Sequence, residues 1–215
     1  GLMNTGYLNT KDTTISMGSS TSSNTDVFVG NPFFGPVDMG ELLGSSTTNT
    51  NMKSNIMYIW DPTINTRGGY VSVSLPSGSN SAGSQADQYL MPGQAAFIKT
   101  NNAGSASLTF DNAAITNTTR NATFRTERDF QELRIQLFQT DSLLNNGPVA
   151  DGVLVHFSEN YSSQYDQWDA TKPGNLDENL GIWSNGTMYS IDLRGIASEE
   201  EKIQLYTNRY RNNRY

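Results

Sequence analysis

The chain contains one histidine and no cysteine, which limits the catalytic chemistry that it could support. His156 lies in an apolar run between Val155 and Phe157. A Ser-His-Asp triad could use only this imidazole, and a zinc site would lack its usual ligands. No Gly-x-Ser-x-Gly elbow is present. A hydrogen-bonded histidine within a strand is the simpler interpretation, so we predict no catalytic residue and expect the chain not to be an enzyme.

Carboxylates form a second candidate group. Asp166, Asp169 and Asp177 lie in a polar stretch together with several asparagines. Ca²⁺ takes about six to eight oxygen ligands, and an oxygen-rich loop can supply them without the spacing of an EF-hand. We name these three aspartates as candidate ligands of Ca²⁺. The alternative is a solvated loop whose aspartates cap turns.

Aromatic side chains form the third candidate group. Trp168 and Trp183 lie near turn-forming residues, and Tyr165 lies close to Trp168 in the sequence. Aromatic rings can stack on the apolar faces of sugars, so we name these three residues as candidate ligand-binding residues. Packing in the core is the competing interpretation.

The elements that would position these residues are predicted to be strands. Short apolar runs, several with period-two alternation, are separated by Gly, Asn, Ser and Pro, as is typical of antiparallel sandwiches and barrels. The segment from Pro36 to Leu43 could form one or two helical turns. Ser198 and Glu201 resemble a capping box. The predicted strands are residues 26–29, 56–60, 70–75, 95–99, 106–110, 133–138, 152–157 and 188–193.

These patterns predict an all-β fold with minimal helix, an antiparallel and jelly-roll-like β-sandwich. The length of 215 residues suits one large sandwich or two packed subdomains. We place an N-terminal β-sandwich region at residues 1–125. A C-terminal β region at 126–215 is predicted to be continuous with it and truncated at its end. Residues 77–84 are predicted to form a long, mobile loop, because they are rich in Gly, Ser and Asn.

Composition argues against several classes of function. The net charge is −7, and the only basic cluster is Arg209, Arg211 and Arg214, so nucleic acid is not an expected partner. No apolar run approaches the roughly 20 residues of a membrane-spanning helix, so membrane insertion is not expected. The absence of cysteine fits an exported protein.

Three motifs occur in a distinctive order. Gly30-Asn31-Pro32 opens a segment that continues through Phe33 to Asp38, and it is followed by a second motif at 58–62, Tyr-Ile-Trp-Asp-Pro. The third is Pro92-Gly93-Gln94, which precedes Phe97 and Lys99. Their order resembles large secreted proteins of the Bacteroidota, and residues 166–172 are similar to a further stretch of that family. The likeness covers roughly residues 1–195.

The resemblance implies a region that lies before the C-terminal sorting domain of the type IX secretion system. It implies an extracellular or outer-cell-surface location and an interaction with the secretion machinery through a sorting domain beyond Tyr215. A glycan or a surface protein is the further class of partner that it suggests.

These observations favour a non-catalytic secreted or cell-surface module that acts as a stalk, spacer or adhesin. A carbohydrate-binding module, with or without Ca²⁺, is the main alternative. A structural subunit of an extracellular assembly is a further one.

Overall fold

The computed structural model describes residues 8–116, 131–198 and 201–211, and strands dominate these ranges. There are two short α-helices, α1 (Met39–Gly44) and α2 (Thr140–Leu144), and a 3₁₀ turn at Asn112–Ala114. The strands are β1 (Thr13–Thr21), β2 (Asp26–Gly30), β3 (Val37–Asp38), β4 (Asn49–Thr50), β5 (Ile56–Asp61), β6 (Gly69–Ser74), β7 (Tyr89–Leu90), β8 (Ala95–Lys99), β9 (Gly104–Phe110), β10 (Gln131–Leu137), β11 (Asp151–Phe157), β12 (Ala170–Thr171), β13 (Asn179–Ser184), β14 (Thr187–Arg194) and β15 (Leu205–Asn208).

The prediction of an all-β, sandwich-like fold with little helix is confirmed. Each strand predicted from apolar runs forms, as β2, β5, β6, β8, β9, β10, β11 and β14. The helical turns predicted near Pro36 form as α1. Its first amides, Gly40 N–H and Glu41 N–H, donate to the side chain of Asp38, which caps the helix.

The contacts divide the described chain into two units that interleave along the sequence. The first comprises residues 8–57, 75–77 and 88–116, and the second comprises 58–74, 78–87, 131–198 and 201–211. The predicted boundary between residues 125 and 126 lies outside the described residues. The second unit includes residues 58–74 and 78–87, which lie within the predicted N-terminal region. Strand β5 begins in the first unit and ends in the second.

The first unit is built from antiparallel strand pairs. A sheet of order β1-β9-β4 forms around β9, and β2 pairs with β8 so that Val27 lies opposite Ile98. Strand β1 was missed by the sequence prediction because it is mostly Ser and Thr rather than apolar. Its Thr14 hydroxyl lies 2.9 Å from the Thr109 hydroxyl on β9, a polar cross-strand pair.

The motif residues of the first unit organise turns. The Asn31 amide donates to the carbonyls of Gly35 and Leu90 at 2.9 and 2.8 Å, and its Oδ1 accepts from Phe33 N–H. Gly93 has a φ of +76°, and the Gln94 side chain accepts from Met91 N–H beside it.

The second unit contains a larger sheet of order β10-β11-β14-β13-β15, with β12 also paired to β14. Strands β11 and β14 pair in parallel, whereas β10 with β11, β12 with β14, β13 with β14 and β13 with β15 pair antiparallel. Its main apolar cluster holds Val153, Val155, Leu180 and Ile182, and Ile135 and Leu137 of β10 pack against it with several other partly buried side chains.

The predicted alternation of β10 is confirmed at Ile135 and Leu137, whereas Leu133 is largely exposed.

We predict that Ile182→Ala lowers the free energy of unfolding by about 2–5 kcal/mol, because the side chain is fully buried and its removal leaves a cavity. Leu144→Ala is the control, since Leu144 is largely exposed on α2 and its loss should cost no more than about 0.5 kcal/mol. Urea unfolding of both variants checks the prediction. Equal losses of unfolding free energy in the two variants would contradict the placement of Ile182 in the core.

Candidate functional site

The second unit carries an open polar pocket beside β10. Residues 78–80 and 83–87 line it together with Glu132 and Arg134. The Asn80 side chain shapes the loop, because its Nδ2 donates to the carbonyls of Ser84 and Ala86 and its Oδ1 accepts from Ser84 N–H. The pocket presents amides and charged groups and little apolar surface.

The loop beside the pocket was predicted to be long and mobile, and in the structure side chains of β10 donate to two of its carbonyls. Arg134 Nε donates to the Asn80 carbonyl at 3.2 Å, and Gln136 Nε2 donates to the Ala82 carbonyl at 2.7 Å. The Gly, Ser and Asn content therefore reflects tight turns and side-chain hydrogen bonds. Arg134 and Gln136, two polar side chains of β10, thus anchor the loop by hydrogen bonds.

His156 lies near this pocket, and its contacts differ from those of a serine triad. Its Nε2 is 3.0 Å from Glu132 Oε1, and the Ser79 hydroxyl donates to the same oxygen at 2.8 Å. A serine triad requires the hydroxyl to donate to the imidazole. Here a carboxylate oxygen lies between them, so the order of contacts differs from that of a triad.

The candidate aromatic residues occupy separate surroundings. Tyr165 stacks on Tyr189 with ring centres 4.5 Å apart, and Trp183 packs against Tyr206 at 5.0 Å. Trp168 is 46% exposed and is the one whose ring the solvent reaches most readily. Tyr165 and Trp183 therefore pack against different aromatic partners.

Tyr165 belongs to a buried ionic network. Its hydroxyl donates to Asp192 Oδ2 and accepts from Arg194 Nη2, both at 3.1 Å. Arg194 also contacts Glu201 Oε1 at 2.7 Å. Burial raises the pKa of the Tyr165 hydroxyl, and the charge of Asp192 adds to the rise. The phenol is thus held as a neutral donor within the fold.

Glu201 was predicted to take part in a capping box, and part of that contact forms. Its carboxylate accepts from Ser198 N–H at 3.4 Å. The residues between them, 199 and 200, lie outside the described ranges.

The predicted metal ligand Asp169 serves as an acceptor for backbone amides. Its Oδ2 accepts from Asp166 N–H at 2.7 Å, and its Oδ1 accepts from Leu193 N–H at 2.8 Å. Burial raises the pKa of Asp169 to about 6, although both hydrogen bonds act in the opposite direction. Asp166 in turn accepts from Trp168 N–H, as in an Asx turn.

Asp177, the other predicted ligand, is paired with arginines. Arg67 contacts both of its carboxylate oxygens, and Arg211 Nε lies 3.3 Å from Oδ1. The hydrogen bond from Arg67 lowers the pKa of Asp177 by more than burial raises it. Among residues 8–116, 131–198 and 201–211, no three His, Asp or Glu side chains converge in a way that could hold a metal ion. The three aspartates predicted to bind Ca²⁺ are therefore not brought together.

Two arginines of the C-terminal basic cluster contact the same region as Asp177. Arg209 Nη1 donates to the Asn175 carbonyl at 2.9 Å, and Arg211 Nε lies 3.4 Å from the buried carboxylate of Glu178. These arginines complement buried acceptors of the second unit. Arg214 lies outside the described residues.

Sequence reasoning missed the most deeply buried ion pair of the second unit. The side chains of Lys172 and Asp151 are 1% and 0% exposed, and Nζ lies 2.5 Å from Oδ1. Asp151 Oδ1 also accepts from Gly152 N–H at 2.8 Å, and its Oδ2 accepts from Leu180 N–H at 2.7 Å. The only signal was a lysine at the end of the stretch 166–172, with an aspartate at the start of an apolar run.

We predict that Asp169→Asn removes one component of the pH dependence of stability. The folded-state pKa of about 6 exceeds the ordinary value of 3.8, so the folded protein binds more protons between these values. This contribution to stability is therefore present at low pH and is lost as the pH rises from about 4 to about 6. Relative to the variant, the wild type should lose up to about 3 kcal/mol across that window.

Urea unfolding of both proteins at several pH values measures the difference. Circular dichroism at each pH checks that both begin folded. Parallel stability profiles between pH 4 and pH 7 would show that Asp169 is not held in a dry site.

No helix within the described ranges is long and apolar enough to cross a membrane. Comparison of the chain with family models, curated proteins and solved structures gives no significant match. The function of the chain must therefore be inferred from its residues and their contacts.

Proposed function

We propose that the chain is a non-catalytic β module of a larger secreted or cell-surface protein, acting as a stalk, spacer or adhesin. One observation carries this proposal: the side chains best suited to chemistry are used as internal supports of the second unit. Asp169 accepts backbone amides, Asp177 is paired with Arg67, and Tyr165 joins the network around Asp192.

The proposal extends to export by the type IX secretion system of the Bacteroidota, with the module lying before a sorting domain. The ordered motifs around Asn31, Asp61 and Gln94 support this extension through their resemblance to that family. Their side chains organise turns: Asp61 Oδ1 accepts from both the amide and the hydroxyl of Thr63. Such residues give a module a recognisable sequence without supplying an active site.

Export can be tested in a Bacteroidota host that expresses the gene from which the chain derives. We expect protease-accessible protein on the surface of cells with an intact type IX system, and retention inside cells that lack one of its essential components. An unrelated outer-membrane protein should reach the surface of both strains. Equal surface exposure of the module in both strains, or its retention in the cytoplasm of both, would contradict the proposed route.

Carbohydrate binding is the second candidate function, and the polar pocket beside β10 favours it. Glu132, Arg134 and the exposed Gln85 supply donors and acceptors of the kind that recognise sugar hydroxyls. The candidate residues Trp168, Trp183 and Tyr165 do not line this pocket, and the predicted Ca²⁺ ligands make other contacts. Recognition would therefore rest on hydrogen bonds.

We predict that Gln85→Ala weakens binding of a glycan found by array screening by about fivefold, the loss of one hydrogen bond. Gln164→Ala is the matched control, since Gln164 is also exposed and does not line the pocket. Titration calorimetry measures both. An array without a bound glycan would eliminate this function. Binding that survives Gln85→Ala but is lost in Trp168→Ala would place the glycan on the exposed tryptophan instead.

A further inference from the structure

The buried Lys172–Asp151 pair combines two reactive groups at close range in a dry site. Nζ is 2.5 Å from Oδ1, and both side chains are almost completely excluded from solvent. Lysine normally extends its ammonium group to water, so its burial requires a specific partner. The two residues come from separate places in the sheet, since Asp151 begins β11 and Lys172 directly follows β12.

A proton can pass directly between the two groups of this pair, because Nζ and Oδ1 lie within hydrogen-bonding distance. Removal of water penalises an ammonium and a carboxylate, whereas an amine and a carboxylic acid lose little by it. Transfer of one proton from Nζ to Oδ1 converts the first state into the second. The neutral state contains a nucleophilic amine in contact with a carboxylic acid.

The surroundings of Asp151 are suited to attack on its carbonyl carbon. Leu180 N–H donates to Oδ2 at 2.7 Å, on the oxygen that does not face the lysine. Gly152 N–H donates to Oδ1 at 2.8 Å. A backbone amide aimed at the oxygen where negative charge develops stabilises a tetrahedral intermediate. The carboxyl group is thus fixed in orientation by contacts at both oxygens.

We propose that Lys172 and Asp151 form an intramolecular isopeptide bond. The neutral amine of Lys172 attacks Cγ of Asp151, and the developing oxyanion is Oδ2, which Leu180 N–H stabilises. The bond from Cγ to Oδ1 then breaks, and Oδ1 leaves as water with the proton first transferred to it from Nζ and a second proton that the nitrogen gives up after the attack. The net change converts one ammonium and one carboxylate into one amide and one water, without an oxidant, reductant or other reactant.

The close contact between Lys172 and Asp151 favours this step. Groups held in contact by a fold react with effective concentrations far above those reached in solution. Exclusion of solvent also protects the product, because hydrolysis requires water to reach the amide. The bond would join the start of β11 to the end of β12 and give a cysteine-free chain a covalent cross-link. This chemistry goes beyond the proposed function and does not depend on it.

The chain contains an internal comparison for this proposal. Lys99 Nζ lies 2.7 Å from Asp26 Oδ1, but the Asp26 side chain is 55% exposed. Water reaches the Asp26 carboxylate and competes with the amine for it, so the same residue types at a similar distance should remain unlinked.

Mass spectrometry of the purified, folded protein tests the bond. We expect the intact mass to lie below the sequence mass by one water, and fragmentation of a digest to show a branched peptide joining residues 151 and 172. Peptides containing Asp26 and Lys99 should be linear. Lys172→Arg keeps the positive charge but should retain the full sequence mass, whereas Lys99→Arg should still lose one water.

The sequence Asp151-Gly152 can also lose water by forming a succinimide, and the same experiment separates the two reactions. Loss of water in Lys172→Arg, or an unbranched peptide at Asp151 in the wild type, would overturn the proposal. So would a wild-type chain that keeps its full mass after prolonged incubation in the folded state. If Lys172→Arg does not fold, the peptides of the wild type still decide the question.

Discussion

The carboxylate of Asp151 imposes the strongest constraint in the second unit. A buried carboxyl group is tolerated when donors fill its hydrogen-bonding capacity. Asp151 meets this condition with Gly152 N–H, Leu180 N–H and Lys172 Nζ. These donors come from β11, β13 and the segment after β12, so the position of one side chain fixes three parts of the sheet.

Other buried carboxylates of the second unit also accept several hydrogen bonds. Asp169 accepts amides from Asp166 and Leu193, and the second of these belongs to β14. Asp192 accepts from Tyr165 and Arg194. These carboxylates add side-chain hydrogen bonds to those of the β-ladders. The acidic character of this region therefore has a structural cause, and it does not require a bound cation.

Apolar runs were sufficient to predict eight of the strands, and the segment from Pro36 to Leu43 was sufficient to predict the first helix, because those signals are local. Strand β1 was missed because its Thr and Ser residues gain their place through pairing with β9, which lies far along the chain. Strand β13 was missed because Asn179 and Gly181 interrupt its apolar pattern. The loop beside β10 was predicted to be mobile because its contacts with Arg134 and Gln136 are non-local.

The candidate site was harder to predict for the same physical reason. Sequence identifies Asp166, Asp169 and Asp177 as oxygen-bearing residues but does not indicate which amides and arginines reach them. A carboxylate that accepts two backbone amides and one that faces a metal ion look alike in sequence. The pairing of Lys172 with Asp151 was equally invisible, since its two members lie on either side of a turn-rich segment.

The central claim is that buried carboxylates of the second unit act as fixed acceptors for backbone amides. Hydrogen exchange at Leu180 N–H and Leu193 N–H tests it most directly, because these amides donate to Asp151 and Asp169. They should exchange as slowly as the ladder amides of β11, since both sets open only when the sheet opens. Exchange as fast as that of the exposed Gln85 amide would contradict the claim.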